Sequence, residues 1–363
     1  MAARQKLLYV VPHCPSPDAH QAGQKTAFQF LVELSKMYDV DLVILCKSNE
    51  LLLCQETYPA LKAHARHIVV ISISPVGRIL GMIFGLLFGL PPRLSTRVSP
   101  SVIFKIRQLI TVEKKYDLLW LEFSQAFWVT KLAKANTEVV LSAHDIQTQL
   151  VASKTLIEQL VFLGFTFYTE KLLFSYASRV RVQSLNDKWL LHTLFKVPLE
   201  KIELAEPVIS SFVTSVLRSV EKVEPHSLLF WGAMGREENS TAIVDFVRSQ
   251  FVVLKKSYPA AKLYIIGSNP PNEVRSLAND SIVVTGFVDD PTKYFELASV
   301  GIAPLIMGAG IKVKVLEMLR AGIPVVSTPV GAEGISNSDL MTVVPIGSFQ
   351  DAIISSWSRH YQL

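Results

Sequence analysis

Several things are scarce in this chain, and each scarcity excludes something. Cysteine occurs three times, as Cys14, Cys46 and Cys54. Scattered thiols with no CxxC pair offer neither a disulfide framework nor a zinc site, and they fit a reducing, cytoplasmic setting. Charged residues make up 18% of the chain, below the usual quarter, and the net charge is only +5. That is too mild for nucleic acid, and the basic residues follow no nucleic-acid motif. The longest apolar run, residues 79–92, is 14 residues. A bilayer-spanning helix needs about 20. The first apolar segment, LLYVV, is shorter than a signal-peptide core. No GxGxxG follows it, which sets a nicotinamide dehydrogenase aside. The sequence shows no obvious DxD that would hold a metal-bound diphosphate; Asp289-Asp290 reads as a strand-to-helix turn. No metal and no cofactor are expected.

What is present is apolar and regularly alternating. Half of the 363 residues are hydrophobic, enough to bury two cores. Short β-branched runs recur at LLYVVP (7–12), VDLVILC (40–46), HIVVISIS (67–74), YDLLWLE (116–122), EVVLSA (138–143) and SRVRVQS (178–184), with helical stretches between them. Continuous apolarity marks strands covered on both faces, and alternation with helices implies right-handed βαβ units. A second series opens with LLFWGAM (228–234) and continues through AKLYIIG, SIVVTGFVDD, SVGIAPL, PVVST and MTVVP. The expected architecture is α/β, with a first domain over 1–205, a second over 206–345 and a short terminal helix over 346–363.

One stretch carries most of the functional signal: APLIMGAGIKVKVLEMLRAGIPVVSTPVGAEGI, residues 303–335. A strand ends near Leu305, a turn follows at Gly308-Ala309-Gly310, and a helix runs from about Ile311 to Ala321. Gly322 stops it and Pro324 follows. A glycine turn opening a helix offers free N–H groups and the positive end of the helix dipole, a place for a phosphate. Lys312 lies at the helix start, and Lys314 and Glu317 share a face. Glu317 is seven residues past Gly310, roughly 10 Å along the axis. Helical side chains lean back toward the N-terminus, so its carboxylate could accept from a ribose diol. A surface helix with a Lys–Glu pair explains the spacing equally well.

These residues resemble the donor motif of retaining family 4 glycosyltransferases of the GT-B fold, in the variant GxGIKxKxLEAMAxGxPVVST followed by GxxGI. The resemblance implies two Rossmann-like domains facing across a cleft. It implies that Gly310, Ile311, Lys312 and Lys314 serve a nucleotide-sugar diphosphate and that Glu317 serves the ribose. Many members carry a second glutamate eight positions before that one; Ala309 stands there in this chain. GAMGREEN resembles the family's second phosphate loop, which implicates Gly232 and Arg236. Asn239 or Ser240 would cap the helix after it. Gly286, Phe287 and Val288 fall where the family places the donor base.

In the first series, His144-Asp145 follows the fifth strand directly, at the ligand-bearing end of a parallel sheet. The family has an HD pair there, and its histidine lines the catalytic cleft. The loop after strand one contains His13, Asp18, His20 and Gly23; in the family such a loop faces the donor phosphates. Ser184 and Asp187 read as caps of a helix, and Glu170 matches a family landmark. Residues 57–112 contain no acid but hold Lys62, Arg66, Arg78, Arg93, Arg97, Lys105 and Arg107. The apolar run inside them reads as a buried core helix or acceptor-pocket wall. It also reads as an interfacial segment that contacts anionic lipid through 76–107. Helical residues 147–177 are apolar all round, which argues for burial or an interface.

The resemblance therefore implies a metal-independent, retaining transferase. It would move a sugar from a nucleotide sugar to a hydroxyl of a glycan or lipid-linked acceptor, in surface polysaccharide or glycoconjugate synthesis. The family's usual helices crossing back onto the first domain are not expected after residue 363. That shortness and Ala309 motivate the alternative of a non-catalytic GT-B subunit supporting a partner; an epimerase on the same fold is a weaker rival.

Overall fold

The computed structural model describes residues 4–17, 22–110, 116–134, 137–152, 154–308 and 310–361. Asp18, His20 and Ala309 lie outside the described residues. The chain divides into two compact units, residues 1–206 and 207–363.

The first unit is a seven-stranded parallel sheet. Its strands are β1 (Lys6–Val11), β2 (Asp39–Lys47), β3 (His67–Ile73), β4 (Leu118–Glu122), β5 (Glu138–Ser142), β6 (Arg179–Val182) and β7 (Ile202–Leu204), in the order β3-β2-β1-β4-β5-β6-β7. The order reverses beside β1, so the carboxyl ends of β1 and β4 flank the switch point where open α/β sheets bind ligands. The central strands are continuous apolar runs because helices cover both faces; Leu7 to Val11 and Leu118 to Leu121 are all buried. β7 was not expected: three residues at a sheet edge are too short to carry a period.

The second unit is a six-stranded parallel sheet of β8 (Ser227–Trp231), β9 (Lys262–Ile266), β10 (Ile282–Gly286), β11 (Val300–Ala303), β12 (Val325–Ser327) and β13 (Met341–Val343), ordered β10-β9-β8-β11-β12-β13. Alternation along the strands builds two cores. Leu228, Phe230, Leu263 and Ile265 join Phe349, Ile353 and Trp357 of helix 349–361 on one face. Leu229, Tyr264 and Ile266 pack with Val213, Val315 and Met318 on the other. Helix 313–320 and the segment 209–216 therefore share one side of the sheet. Both units are Rossmann-like, and the architecture is of the GT-B type.

Two helical expectations need correction. The run 79–92 is not a buried core helix. Helix 75–87 turns Gly81 and Gly85 inward, where an added Cβ would lie 2.3 Å from the Val98 carbonyl and 2.1 Å from Ser95. Glycines four apart make a flat stripe, so the helix seats on backbone and its bulky side chains face out. Ile79, Leu80, Ile83, Leu87 and Phe88 are all exposed. The 147–177 region is two helices, 147–152 and 156–176. Thr155 caps the second by accepting from the Glu158 N–H. Its apolar residues are not uniformly buried: Leu156, Ile157, Leu160 and Val161 are exposed.

Candidate functional site

In the second unit, three loops leave the carboxyl ends of β8, β9 and β10 at glycines. The Gly232 N–H donates to the Ile266 carbonyl at 3.0 Å, and the Gly267 N–H donates to the Gly286 carbonyl at 3.0 Å. A Cβ on Gly267 would sit 1.7 Å from the Gly232 oxygen. The three strand ends thus close into one strip of bare backbone. Val288 packs onto the core beside it, and Phe287 is exposed.

Helix 313–320 borders this strip. Lys312 is its N-cap residue and makes no side-chain cap hydrogen bond, so the first-turn N–H groups have no side-chain acceptor there. Gly308 and Gly310 before it have φ of 116° and 74°, which only glycine adopts cheaply. Lys312 folds back over this turn: its ammonium donates to the Gly310 carbonyl at 2.5 Å and lies 3.5 Å from Glu333. Ile311 lies between them, part-buried.

Lys314 behaves differently. Its side chain crosses the end of β8 over Gly232, where a Cβ would come within 3.2 Å of the Lys314 Cδ. Glycine at 232 is what lets it pass. The ammonium then donates to Asn239 Oδ1 at 2.6 Å and sits 4.6 Å from the Phe230 ring centroid. No carboxylate among the described residues pairs with it. Burial pushes its pKa down to about 7, and the Lys312 and Arg236 charges push the same way against Glu238. Asn239, expected as a cap, instead lies inside helix 237–246, where its amide donates to the Ala233 carbonyl at 2.8 Å. Arg236 is exposed and pairs with Glu238 at 3.6 Å.

Glu317 is 5% exposed and already committed. It accepts from the Ser210 N–H at 3.0 Å and from the Trp231 indole N–H at 2.6 Å. A carboxylate has about four acceptor positions, so two remain. The protein donors fix its direction. Trp231 and Ser210 escaped the sequence reading; a tryptophan closing a buried strand next to Gly232 was the available signal.

In the first unit, His144 stands beyond β5 as expected. One ring nitrogen, Nε2, bonds Glu122, and the other accepts from the Gln183 amide at 2.7 Å. With Gln183 donating to Nδ1, the imidazole proton resides on Nε2. The ring stacks on Phe123 at 4.1 Å between centroids. Glu122 is wholly buried and also accepts from Trp120 Nε1 at 2.8 Å, Ser142 Oγ at 2.7 Å and Tyr9 at 3.3 Å. Four donors around one carboxylate make an anchor for the histidine. Phe123 has φ 61°, a strained value for a non-glycine residue. It touches the predicted Gly23, where a Cβ would be 3.3 Å from the ring, and His13 meets it edge-on at 5.5 Å. Gly23 lies in the first turn of helix 22–37 and not in the loop. So Gly23 and His144 converge on Phe123. Glu122, Phe123 and Gln183 were not foreseen. Ser184 caps helix 185–193 as expected, accepting from the Asp187 N–H at 3.0 Å. Glu170 accepts from the Gln147 and Thr148 N–H groups, each at 2.8 Å, and from the Thr148 hydroxyl at 2.6 Å.

Residues 225–359 match the family described as Glycosyl transferases group 1. A protein from Klebsiella pneumoniae, "Uncharacterized 44.6 kDa protein in cps region", is 24% identical over 350 residues, covering 91% of this chain and 84% of its own. Among solved structures, sucrose-phosphate synthase of Thermosynechococcus elongatus superposes with a TM-score of 0.67 at 16% identity, covering 99% of this chain and 92% of that one. Anabaena Alr3699/HepE in complex with UDP and glucose gives 0.62 at 13% identity, covering 98% and 89%. WaaG, a glycosyltransferase involved in lipopolysaccharide biosynthesis, gives 0.63 at 11%, covering 97% and 90%. The group 1 segment contains the whole glycine strip and helix 313–320, and with the GT-B fold it supports a glycosyltransferase.

Proposed function

We propose that this protein is a retaining, metal-independent transferase acting on a nucleotide-sugar donor and a hydroxyl acceptor, a glycan or a lipid-linked one. The observation that carries the donor half is Lys314. A lysine held without a carboxylate, across a glycine edge, is a charge waiting for an anion. In this reading the departing diphosphate lies against Gly232, Lys314, Lys312 and the first turn of helix 313–320, and its growing charge is stabilised there. Arg236 adds longer-range attraction. Glu317, aimed by Trp231 and Ser210, offers its remaining acceptor positions to the ribose, and the base rests on the backbone of Gly286, Phe287 and Val288. His144 is held rigid by Glu122 and presents the reacting end of the first unit. With both ring nitrogens engaged, it meets the sugar through its main chain or after Gln183 turns away. The Anabaena neighbour's UDP and glucose complex and the Klebsiella relative's cps-region name favour a nucleotide sugar and a surface polysaccharide.

Thermal unfolding with UDP, GDP and ADP, for the parent and for Lys312→Ala, tests the donor half. A ligand at about 100 times its Kd adds roughly 2.7 kcal/mol. One nucleotide should raise the parent's unfolding temperature and raise that of the variant less. No shift with any of the three would overturn the reading. Retention would be read from the anomeric configuration of the product.

The same proposal includes a peripheral membrane contact. No helix among the described residues is long and apolar enough to cross a membrane. Helices 75–87 and 156–176 both carry exposed apolar side chains, and the turn after the first is tied to the second by the Thr169 hydroxyl, which donates to the Gly89 carbonyl at 3.3 Å. A depression of about 170 Å³ lies beside helix 156–176, lined by Pro91, Pro92, Phe162 and Thr166 together with Arg93, Lys154 and Glu158. Exposed apolar side chains beside two cations and one acid leave a small positive surplus, which suits an anionic interface. Co-sedimentation with anionic vesicles at low salt should be lost in Leu80→Asp/Leu160→Asp. Binding that survives that double change would count against it.

A further inference from the structure

The acid-free stretch singled out in the sequence delivers two arginines to one place in the first unit. Arg97 is 2% exposed, and its Nε donates to the Pro12 carbonyl at 3.1 Å. Its Nη1 is buried and has no partner among the described residues. Arg78, in the first turn of helix 75–87, has a buried Nε with no partner among the described residues. Lys47 closes β2, and its charge acts on both Arg97 and Arg78. His13, just beyond β1, adds a buried Nδ1 with no hydrogen-bond partner among the described residues, and the charges of Arg97 and Lys47 act on it. Among the described residues, the acid that acts on this cluster is Glu50, 8% exposed, 3.9 Å from the His13 Nδ1. It accepts from the Lys47 N–H at 3.4 Å.

This arrangement is costly unless something occupies it. Like charges press on one another, and burial holds the pKa values of Lys47 and Arg97 below their usual range. Arginine cannot shed its proton to escape, and a buried cation without a bonded counter-charge is strongly unfavourable. The neighbouring thiols of Cys46 and Cys54 supply no counter-charge, since hydrogen bonding among the thiols and burial push Cys54 up to about 12 and Cys46 higher. Among the described residues, Lys47, Arg78 and Arg97 against Glu50 leave a surplus of two positive charges. That matches a phosphate monoester dianion or a diphosphate diester. The cluster also sits at the carboxyl ends of β1, β2 and β3, the ligand-bearing edge of the sheet.

We propose that His13, Lys47, Arg78 and Arg97 form a binding site for a phosphoryl group carried by the acceptor. That the ligand is the acceptor rests on the transferase reading; that the site takes a phosphoryl anion rests on the cluster alone. Arg97 and Arg78 donate to the phosphoryl oxygens, Lys47 supplies charge, and Glu50 keeps the cations apart when the site is empty.

Calorimetric titration of the full chain with inorganic diphosphate tests this. The parent should show two sites. Arg78→Gln and Lys47→Gln, both at partly exposed positions that tolerate change, should each weaken one site by roughly ten- to a hundred-fold, the worth of a charge-assisted hydrogen bond. Lys314→Met should remove the other. Arg97→Gln should abolish the first site, and if it fails to fold the two exposed variants still decide. A single site, lost in Lys314→Met and unmoved by Arg78→Gln and Lys47→Gln, overturns the proposal and leaves the donor reading intact. If no nucleotide binds the protein while the Arg78-dependent site persists, the acceptor assignment falls and the anion site stands. Zwitterionic vesicles with and without a polyprenyl diphosphate separate a lipid-borne phosphoryl group from a soluble one. Greater recruitment to the doped vesicles, with the increment lost in Arg78→Gln, assigns the lipid.

Discussion

Replacing Lys314 with methionine should make the empty protein more stable and the nucleotide-binding protein useless. The side chain lies against Asn239 and the Phe230 ring, with no carboxylate bonded to it among the described residues. Its pKa falls from 10.5 in free solution to about 7. For a base with a lowered folded-state pKa, the unfolded chain binds more protons between the two values, so this group makes stability rise with pH from about 7 to 10.5. Below 7 the penalty is fully present. The full shift corresponds to about 5 kcal/mol. That figure is an upper bound, since the residue is only part-buried and solvent screens the charge. Methionine keeps the length and loses the charge. At pH 6.5 Lys314→Met should unfold several degrees above the parent; near pH 10.5 the two should converge. A nucleotide diphosphate restores the ammonium's proton, so the parent's affinity should fall as pH rises above 7, by up to a factor of ten per unit. The assay is thermal unfolding at pH 6.5 and 9.5 with and without nucleotide. A variant that unfolds below the parent at pH 6.5, or that keeps the nucleotide shift, refutes the reasoning.

Other expectations follow from contacts already described. Gly267→Ala forces a Cβ onto the Gly232 carbonyl at φ 146°; it should cost about 3 kcal/mol or more in urea unfolding, or abolish soluble expression. Glu122→Gln can accept from fewer of Tyr9, Trp120, Ser142 and His144. A loss of roughly 2–4 kcal/mol and a mobile His144 resonance are expected. Glu170 is wholly buried, and burial lifts its pKa to about 7 despite three donors. An acid with a raised folded-state pKa binds its proton in the native state between about 4.5 and 7, so its contribution to stability declines as pH rises through that window. Glu170→Gln should flatten that part of the stability profile, read by denaturant midpoints at pH 5 and 7.

Strands were legible in the sequence because a parallel strand covered on both faces is a continuous apolar run. LLYVVP and LLFWGAM announce β1 and β8 without tertiary information. The glycine turn before helix 313–320 was legible too, since φ values of 116° and 74° restrict those positions to glycine. What failed was anything depending on which chain segments meet. Lys314 read as one of two similar lysines; only the fold shows it crossing Gly232 to Asn239 while Lys312 folds back on Gly310. Glu122 read as the polar end of a strand, yet it anchors His144 from 22 residues away. Asn239 read as a cap because its neighbours suited one. No local pattern encodes these pairings.

The stretch 57–112 shows how one composition can carry two opposite placements. Read along the chain, its cations and apolar residues suggest a single amphipathic segment, cations in water and apolar groups inside. The fold reverses much of that. Gly81 and Gly85 give helix 75–87 a seat on backbone, so Ile79, Leu80, Ile83 and Leu87 point outward. Arg97, beyond the helix, goes inside to the Pro12 carbonyl. An inverted pattern of this kind opposes the hydrophobic effect, so it persists where each half meets a partner: lipid or another apolar surface outside, an anion inside. The two halves should therefore separate experimentally. Leu80→Asp should weaken vesicle binding and leave the diphosphate titration of the first unit unchanged, while Arg78→Gln should do the reverse on vesicles whose only anion is the diphosphate lipid, losing the diphosphate-dependent increment and keeping the apolar contact. If both changes moved both readouts equally, the stretch would be one amphipathic segment after all, and the inward arginines would be structural.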